Sequence, residues 1–180
     1  MPTFFWILYT AFLLSQVFIA IRYLTTGNKM YFQSLLVTNI LFGLYVAADA
    51  VFTIGVPFFI RCLVIVALFI HTFFGYFKDF YTRSQTFDRY LHAFGSFAFA
   101  LFFYSLFLKL MAAAVTPPLF AAVMVTFTGI AVGAIFEIIE FAIDTKMPVK
   151  TQRDLKDTDM DLVFDVIGSV AAGAAAYFFL

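Results

Sequence analysis

The sequence predicts an all-α fold: a polytopic membrane helix bundle with six transmembrane helices, read as one integral membrane domain over residues 1–180. Three observations predict it. Hydrophobic residues make up 64% of the chain and charged residues only 12%, where a soluble domain carries about 25% charged residues. Mean hydropathy is +0.99. The apolar residues also fall into six segments of the length a bilayer demands, about 20 residues of helix each.

The segments lie at roughly 4–24, 32–54, 57–77, 87–112, 118–143 and 160–180. The first has no Lys or Arg between Met1 and Ala20, so it lacks the charged start of a cleaved signal peptide and reads as a retained span. The polar turn Thr25-Thr26-Gly27-Asn28-Lys29 separates it from the second. Gly55-Val56-Pro57 makes a tight connection to the third, and Asp49 and Arg61 flank that turn as an expected structural ion pair. Lys78 to Thr86 is a short charged loop leading to the fourth segment. Thr116-Pro117-Pro118 opens the fifth, where proline is tolerated in the first turn. Thr145 to Asp159 is the longest polar stretch, and the sixth segment follows it. The 28 phenylalanines need no special role, because Phe is an inexpensive lipid-facing residue.

Nine of the eleven Lys and Arg fall on connections 1–2, 3–4 and 5–6. The positive-inside rule places that side in the cytoplasm and both termini outside. Ten of the eleven acids share the bias, with Asp49 alone near the other side. A single cysteine, Cys62, excludes an internal disulfide and a multi-cysteine metal site. The net charge of zero gives no sign of a nucleic-acid partner. The expected partners are membrane lipids, with a homo-oligomer left open.

Ionisable residues within the hydrophobic segments carry the functional signal, since such groups are costly at membrane depth and rarely face lipid. On the fourth segment, Asp88 and His92 are four apart and share a helix face. On the fifth, Glu137, Glu140 and Asp144 share a face that Gly133 and Gly129 continue. On the sixth, Asp157, Asp161 and Asp165 step by four, and Gly168, Ala172 and Ala176 extend the stripe. Thr158 and Asp161 also have the spacing of a capping box.

A rise of 1.5 Å per residue puts Glu137 about 10 Å in from Asp144, His92 about 8 Å in from Phe87 and Asp165 about 6 Å beyond Asp161. The three estimates describe one layer beneath the cytoplasmic surface, to which His71 is a candidate addition. Small residues on the last two helices permit the close backbone approach it needs. So many carboxylates cannot all stay ionised and unpaired. They share protons, pair with Arg89 and Arg153, or hold a cation. Oxygen ligands with at most one or two imidazoles suit Mg²⁺, Mn²⁺, Ca²⁺ or a carboxylate-rich Zn²⁺ or Fe²⁺ site. The simpler readings are a helix cap for Asp159 and Asp161, and solvated loop charge for Asp144, Asp154, Asp157, Lys78 and Asp79. For His71, Gly129 and Gly133 the simpler reading is packing.

Asp88-x-x-x-His92-x-x-Gly95, Gly133-Ala-Ile-Phe-Glu137-Ile-Ile-Glu140 and Asp157-Thr158-Asp159-Met160-Asp161-Leu162-x-x-Asp165-x-x-Gly168 together resemble the YjdF-like family of bacterial inner-membrane proteins. They are more distantly similar to VanZ-like proteins. The resemblance covers roughly residues 85–175 and implies a small multi-pass protein of the bacterial cytoplasmic (inner) membrane.

Three functions fit these residues. The first is a divalent-metal-dependent enzyme acting on a lipid or isoprenoid headgroup. In it His92, Glu137, Glu140 and Asp165 hold the metal, Asp88 orients His92, and Asp161 completes the site or serves as general base. The second is a proton- or ion-coupled transporter using the acids as a relay. The third is a non-enzymatic accessory protein in which a structural polar network ties three helices together.

Overall fold

A computed structural model describes residues 3–27, 29–113, 117–146 and 151–180. Asn28, Thr116 and Lys150, which the sequence places in connections, lie outside the described residues. All the regular structure among the described residues is helical: α1 Thr3–Thr26, α2 Lys29–Phe52, α3 Phe58–Phe69 continuing as a π-helical segment Ile70–Phe77, α4 Phe80–Arg83, α5 Phe87–Leu110, α6 Pro118–Lys146 and α7 Leu155–Phe179. Among the described residues, six helices are long and apolar enough to cross a membrane: α1, α2, α3 with its π-helical extension, α5, α6 and α7. These match the six expected spans. The additional short helix α4 lies in the charged loop after the third span.

The chain divides into two compact units, residues 1–85 and 86–180. In the first, α1 buries Phe5, Phe12, Gln16, Ile19 and Tyr23, steps of three, four and seven that line one helix face. Leu35, Phe42, Val46 and Asp49 make the corresponding stripe on α2. Phe4, Ile7, Leu14 and Val17 are exposed, which is what a lipid-facing surface requires of a helix apolar on all sides. The expected ion pair forms: Arg61 Nη1 donates to Asp49 Oδ2 at 2.8 Å, with both residues buried.

The π-helical segment has a local cause. The Thr72 hydroxyl donates to the Leu68 carbonyl at 2.9 Å, where the α-helical ladder gives way. A side chain competing for a carbonyl four residues back bends or opens a helix. Lys78 N then reaches back five residues to Phe73 O at 2.9 Å. Gln16 Nε2 donates to Thr72 Oγ1 at 3.0 Å, and Asn39 Nδ2 to Gln16 Oε1 at 3.3 Å, so neutral polar groups join three helices.

In the second unit the helices approach through small residues. A Cβ on Gly168 of α7 would collide with the Ala93 carbonyl of α5, and one on Gly173 with the Thr126 hydroxyl and Ala122 carbonyl of α6. Gly129 packs on Ser169 and Ala100 in the same way. Buried Ala98, Ala100, Ala121, Ala172 and Ala176 complete the contact.

α7 begins at Leu155, about five residues before the expected start of the sixth span. Its N-cap is Asp154, whose side chain accepts from Asp157 N at 2.8 Å, so the capping box expected of Thr158 and Asp161 does not form. The cap comes earlier because Asp154 is extended (φ −160°, ψ 176°), the conformation an N-cap needs. Asp159 therefore lies inside the helix, exposed, and is not its cap.

Candidate functional site

The site is built by α5, α6 and α7 within the 86–180 unit. Asp88, His92 and Ser96 step by four along α5, one turn above another. Across from them Asp157, Asp161 and Asp165 form the buried stripe of α7, at 5%, 3% and 2% exposure. Glu137 comes from α6 and is also buried. The closeness of the three helices is glycine's doing: a Cβ on Gly133 would occupy the space of the Asp165 carboxylate.

His92 stands at the centre. Its Nδ1 lies 3.2 Å from both Asp165 oxygens, and Ser96 Oγ donates to Asp165 Oδ1 at 2.5 Å. On the other edge of the ring, Nε2 is 3.6 Å from Glu137 Oε1 and 3.8 Å from Asp88 Oδ1. Ligand atoms of Asp88, His92 and Asp161 all lie within 4.8 Å of one another. Two carboxylate oxygens near the ring, Glu137 Oε1 and Asp161 Oδ1, are buried without a hydrogen-bond partner. Buried polar atoms are almost always paired, so these two call for an explanation.

Of the sequence-predicted residues, the structure brings together His92, Glu137, Asp165, Asp88 and Asp161. Glu140 is half-buried, and its backbone carbonyl accepts from Thr151 Oγ1 at 3.5 Å. Asp165 is the carboxylate beside Nδ1, and Asp88 faces the Nε2 edge of the ring.

Arg89 Nη2 reaches Asp157 Oδ1 at 4.0 Å and Arg153 Nε reaches Asp157 Oδ2 at 3.6 Å, both one turn short of Asp161. Asp157 and Asp144 are buried, which corrects their reading as solvated loop charge. For Asp144 the reason is that Thr151 and Gln152 hydrogen-bond onto the end of α6. Asp144 Oδ1 accepts from Thr151 N and Thr151 Oγ1, each at 2.7 Å, and Oδ2 from Gln152 N at 3.0 Å.

Gln152 and Ser96 are participants that sequence reasoning missed. Gln152 Nε2 donates to Glu137 Oε2 at 2.8 Å and to the Glu137 carbonyl at 3.2 Å. That leaves Glu137 Oε1 as the oxygen facing His92. Ser96 had a signal, one further step of four beyond His92. Gln152 had none, since a loop folding back leaves no periodicity. His71 belongs to the 1–85 unit and hydrogen bonds there, its Nδ1 2.5 Å from Tyr81 Oη and its ring against Tyr76.

The chain belongs to the family described as "Predicted membrane protein (DUF2238)", which matches residues 3–180. A protein of Thermotoga maritima described as "Uncharacterized protein" is 34% identical over 113 residues, an alignment covering 62% of this chain and 58% of the relative. The chain thus spans under two thirds of that relative's length. No solved structure matches. Family membership and six apolar helices make this a multi-pass membrane protein, and a bacterial inner membrane is consistent with the Thermotoga relative.

Proposed function

We propose that this DUF2238 protein holds a divalent cation at His92 and the carboxylates around it, and uses it on a lipid or isoprenoid headgroup. One observation carries the reading. His92 Nδ1 lies 3.2 Å from Asp165 while Nε2 faces Glu137 and Asp88 at 3.6 and 3.8 Å, so an imidazole with its hydrogen on Nδ1 turns the Nε2 lone pair toward those oxygens. Lone pair and carboxylates repel unless a proton or a cation lies between them. The partnerless oxygens of Glu137 and Asp161 fit a cation better, because a proton on Nε2 has only one direction in which to donate.

In this reading Asp88, His92, Glu137 and Asp161 are the inner ligands, with Glu140 in reserve one turn further along α6. Asp165 fixes the imidazole tautomer and orientation, as carboxylates do for metal-bound histidines. Gln152 holds Glu137 in place. A divalent ion here would polarise a phosphoryl or ester oxygen or activate water. Asp88 and Asp161 are the candidates for moving a proton at the reacting oxygen. The positive-inside bias of Lys and Arg supports a cytoplasmic-leaflet position for this layer, with both termini outside. The YjdF-like resemblance agrees with that picture.

Elemental analysis of protein purified with divalent cations present tests the proposal. The expected result is close to one bound ion per chain, lost in Glu137→Gln combined with Asp161→Asn. Metal-free wild type would end it.

A second reading has its own support. Asp165 receives Ser96 and His92 from α5 and packs on Gly133 of α6, while its backbone carbonyl accepts Ser169 Oγ at 2.6 Å. That is how a purely structural tie would look. It predicts that Asp161→Asn lowers stability and function in proportion, whereas the metal reading predicts loss of function in a protein that still unfolds near the wild-type temperature.

A further inference from the structure

Within the 1–85 unit, the start of α1, the end of α2 and the start of α3 enclose a cavity of about 250 Å³, lined by Trp6, Asp49, Ala50, Thr53, Gly55 and Arg61. A water molecule's share of the liquid is about 30 Å³, so the space accommodates a polar headgroup. It shares no residue with the His92 site.

The ion pair in its wall is satisfied on one side only. Asp49 has both oxygens engaged, Oδ2 by Arg61 Nη1 at 2.8 Å and Oδ1 by Gly55 N at 2.7 Å. Arg61 is 6% exposed, and its guanidinium carbon lies 4.8 Å from the Phe5 ring centroid. Its Nε–H is buried and has no acceptor. A guanidinium is all donor, and a buried donor without an acceptor carries a desolvation cost. Arg61 lines the cavity, so this donor is the one that an oxygen of a bound molecule would satisfy.

What could bring that oxygen is narrowed by the rim. Trp6, Val51, Phe52 and Phe59 are exposed apolar residues at these helix ends, 42%, 73%, 76% and 48% accessible. Helix ends with a tryptophan belong at headgroup level. A molecule with an acceptor at one end and hydrocarbon at the other suits both the donor and the rim.

We propose that this cavity binds the phosphodiester group of a membrane lipid, with Arg61 Nε–H donating to a phosphate oxygen and the acyl chains lying along the apolar rim. Inorganic phosphate offers the same oxygens without the chains.

Trp6 is the only tryptophan in the chain, so its fluorescence reports on the cavity. Full-length protein in maltoside detergent would be titrated with dioctanoyl phosphatidylglycerol, with dioctanoylglycerol and with inorganic phosphate. Bound lipid would be counted in parallel by native mass spectrometry. The phospholipid should give a saturable change and a retained lipid, and the other two neither. Arg61→Lys keeps a cation beside Asp49 but removes the Nε donor, and should weaken binding about tenfold. Ala50→Phe fills the space without touching the ion pair and should abolish saturation while circular dichroism stays that of the wild type. It carries the test should Arg61→Lys fail to fold. Equal saturation by dioctanoylglycerol or by phosphate, or undiminished lipid retention in Ala50→Phe, would overturn the proposal.

Discussion

Residues 1–85 bury rings and aliphatic side chains where residues 86–180 bury glycines, alanines and carboxylates. In the first unit Phe5, Phe12, Phe42 and Tyr23 fill the space between helices, and the central polar contacts are neutral: Gln16, Asn39 and Thr72. The buried ion pair, Asp49 with Arg61, stands at the helix ends. In the second unit nine of the chain's eleven acids gather, and His92, Glu137, Asp161 and Asp165 lie inside the helix packing. The difference teaches why charge is tolerable there. Large side chains hold helices apart and leave a buried carboxylate facing hydrocarbon. Glycine and alanine bring backbones close enough for carboxylates from one helix to meet an imidazole and a hydroxyl on another.

The most severe way to break this contrast is to put bulk into the second unit. Gly168→Val places a side chain against the Ala93 carbonyl. It should cost about 3 kcal/mol or more, read from unfolding in mixed detergent by circular dichroism. A cost below about 1 kcal/mol would mean that close approach is not what holds these helices. Phe12→Ala makes the complementary cut, removing a buried ring from the first unit. It should cost about 3 kcal/mol and leave divalent-cation binding unchanged in a calorimetric titration.

Asp165→Asn sharpens the comparison inside the site. If Asp165 orients His92 without touching the ion, cation affinity should fall about 10- to 100-fold and not vanish. Asp161→Asn, by contrast, should abolish binding in the same titration. Identical losses in the two variants would return Asp165 to the ligand role the sequence suggested. The smallest effect belongs to Thr72→Val. Losing the bond from Gln16 should cost about 1 kcal/mol, and amide exchange around residues 70–77 should slow as the helix regains its regular ladder.

Much of this architecture is legible in the residues themselves. Apolar runs give the six spans, and Asp49 with Arg61 announces its own pairing across the Gly55 turn. Depth counted along each helix places His92, Glu137 and Asp165 in one layer, because rise per residue is fixed by the backbone and owes nothing to tertiary context. Roles within the layer are another matter. Whether Asp88 or Asp165 meets Nδ1 depends on the rotation of α5 against α7, set by the contact of Gly168 with Ala93, and one chain carries no signal for rotation. The start of α7 is hidden by the charge between Arg153 and Asp161, which depresses hydropathy over two helical turns. The burial of Asp144 and Asp157 depends on Thr151, Gln152 and Arg153 folding back, a tertiary event no periodicity records. The π-helical segment hangs on one hydroxyl, Thr72, in a run that otherwise reads as ordinary helix.

The central claim is that His92 Nε2 faces a bound cation. Pulsed electron paramagnetic resonance on Mn²⁺-loaded protein tests it most directly, because an imidazole nitrogen on the ion modulates the spin echo. The account predicts that this modulation is present in the wild type, survives His71→Gln and disappears in His92→Gln. Manganese that fails to bind, or a nitrogen modulation that persists without His92, would contradict it.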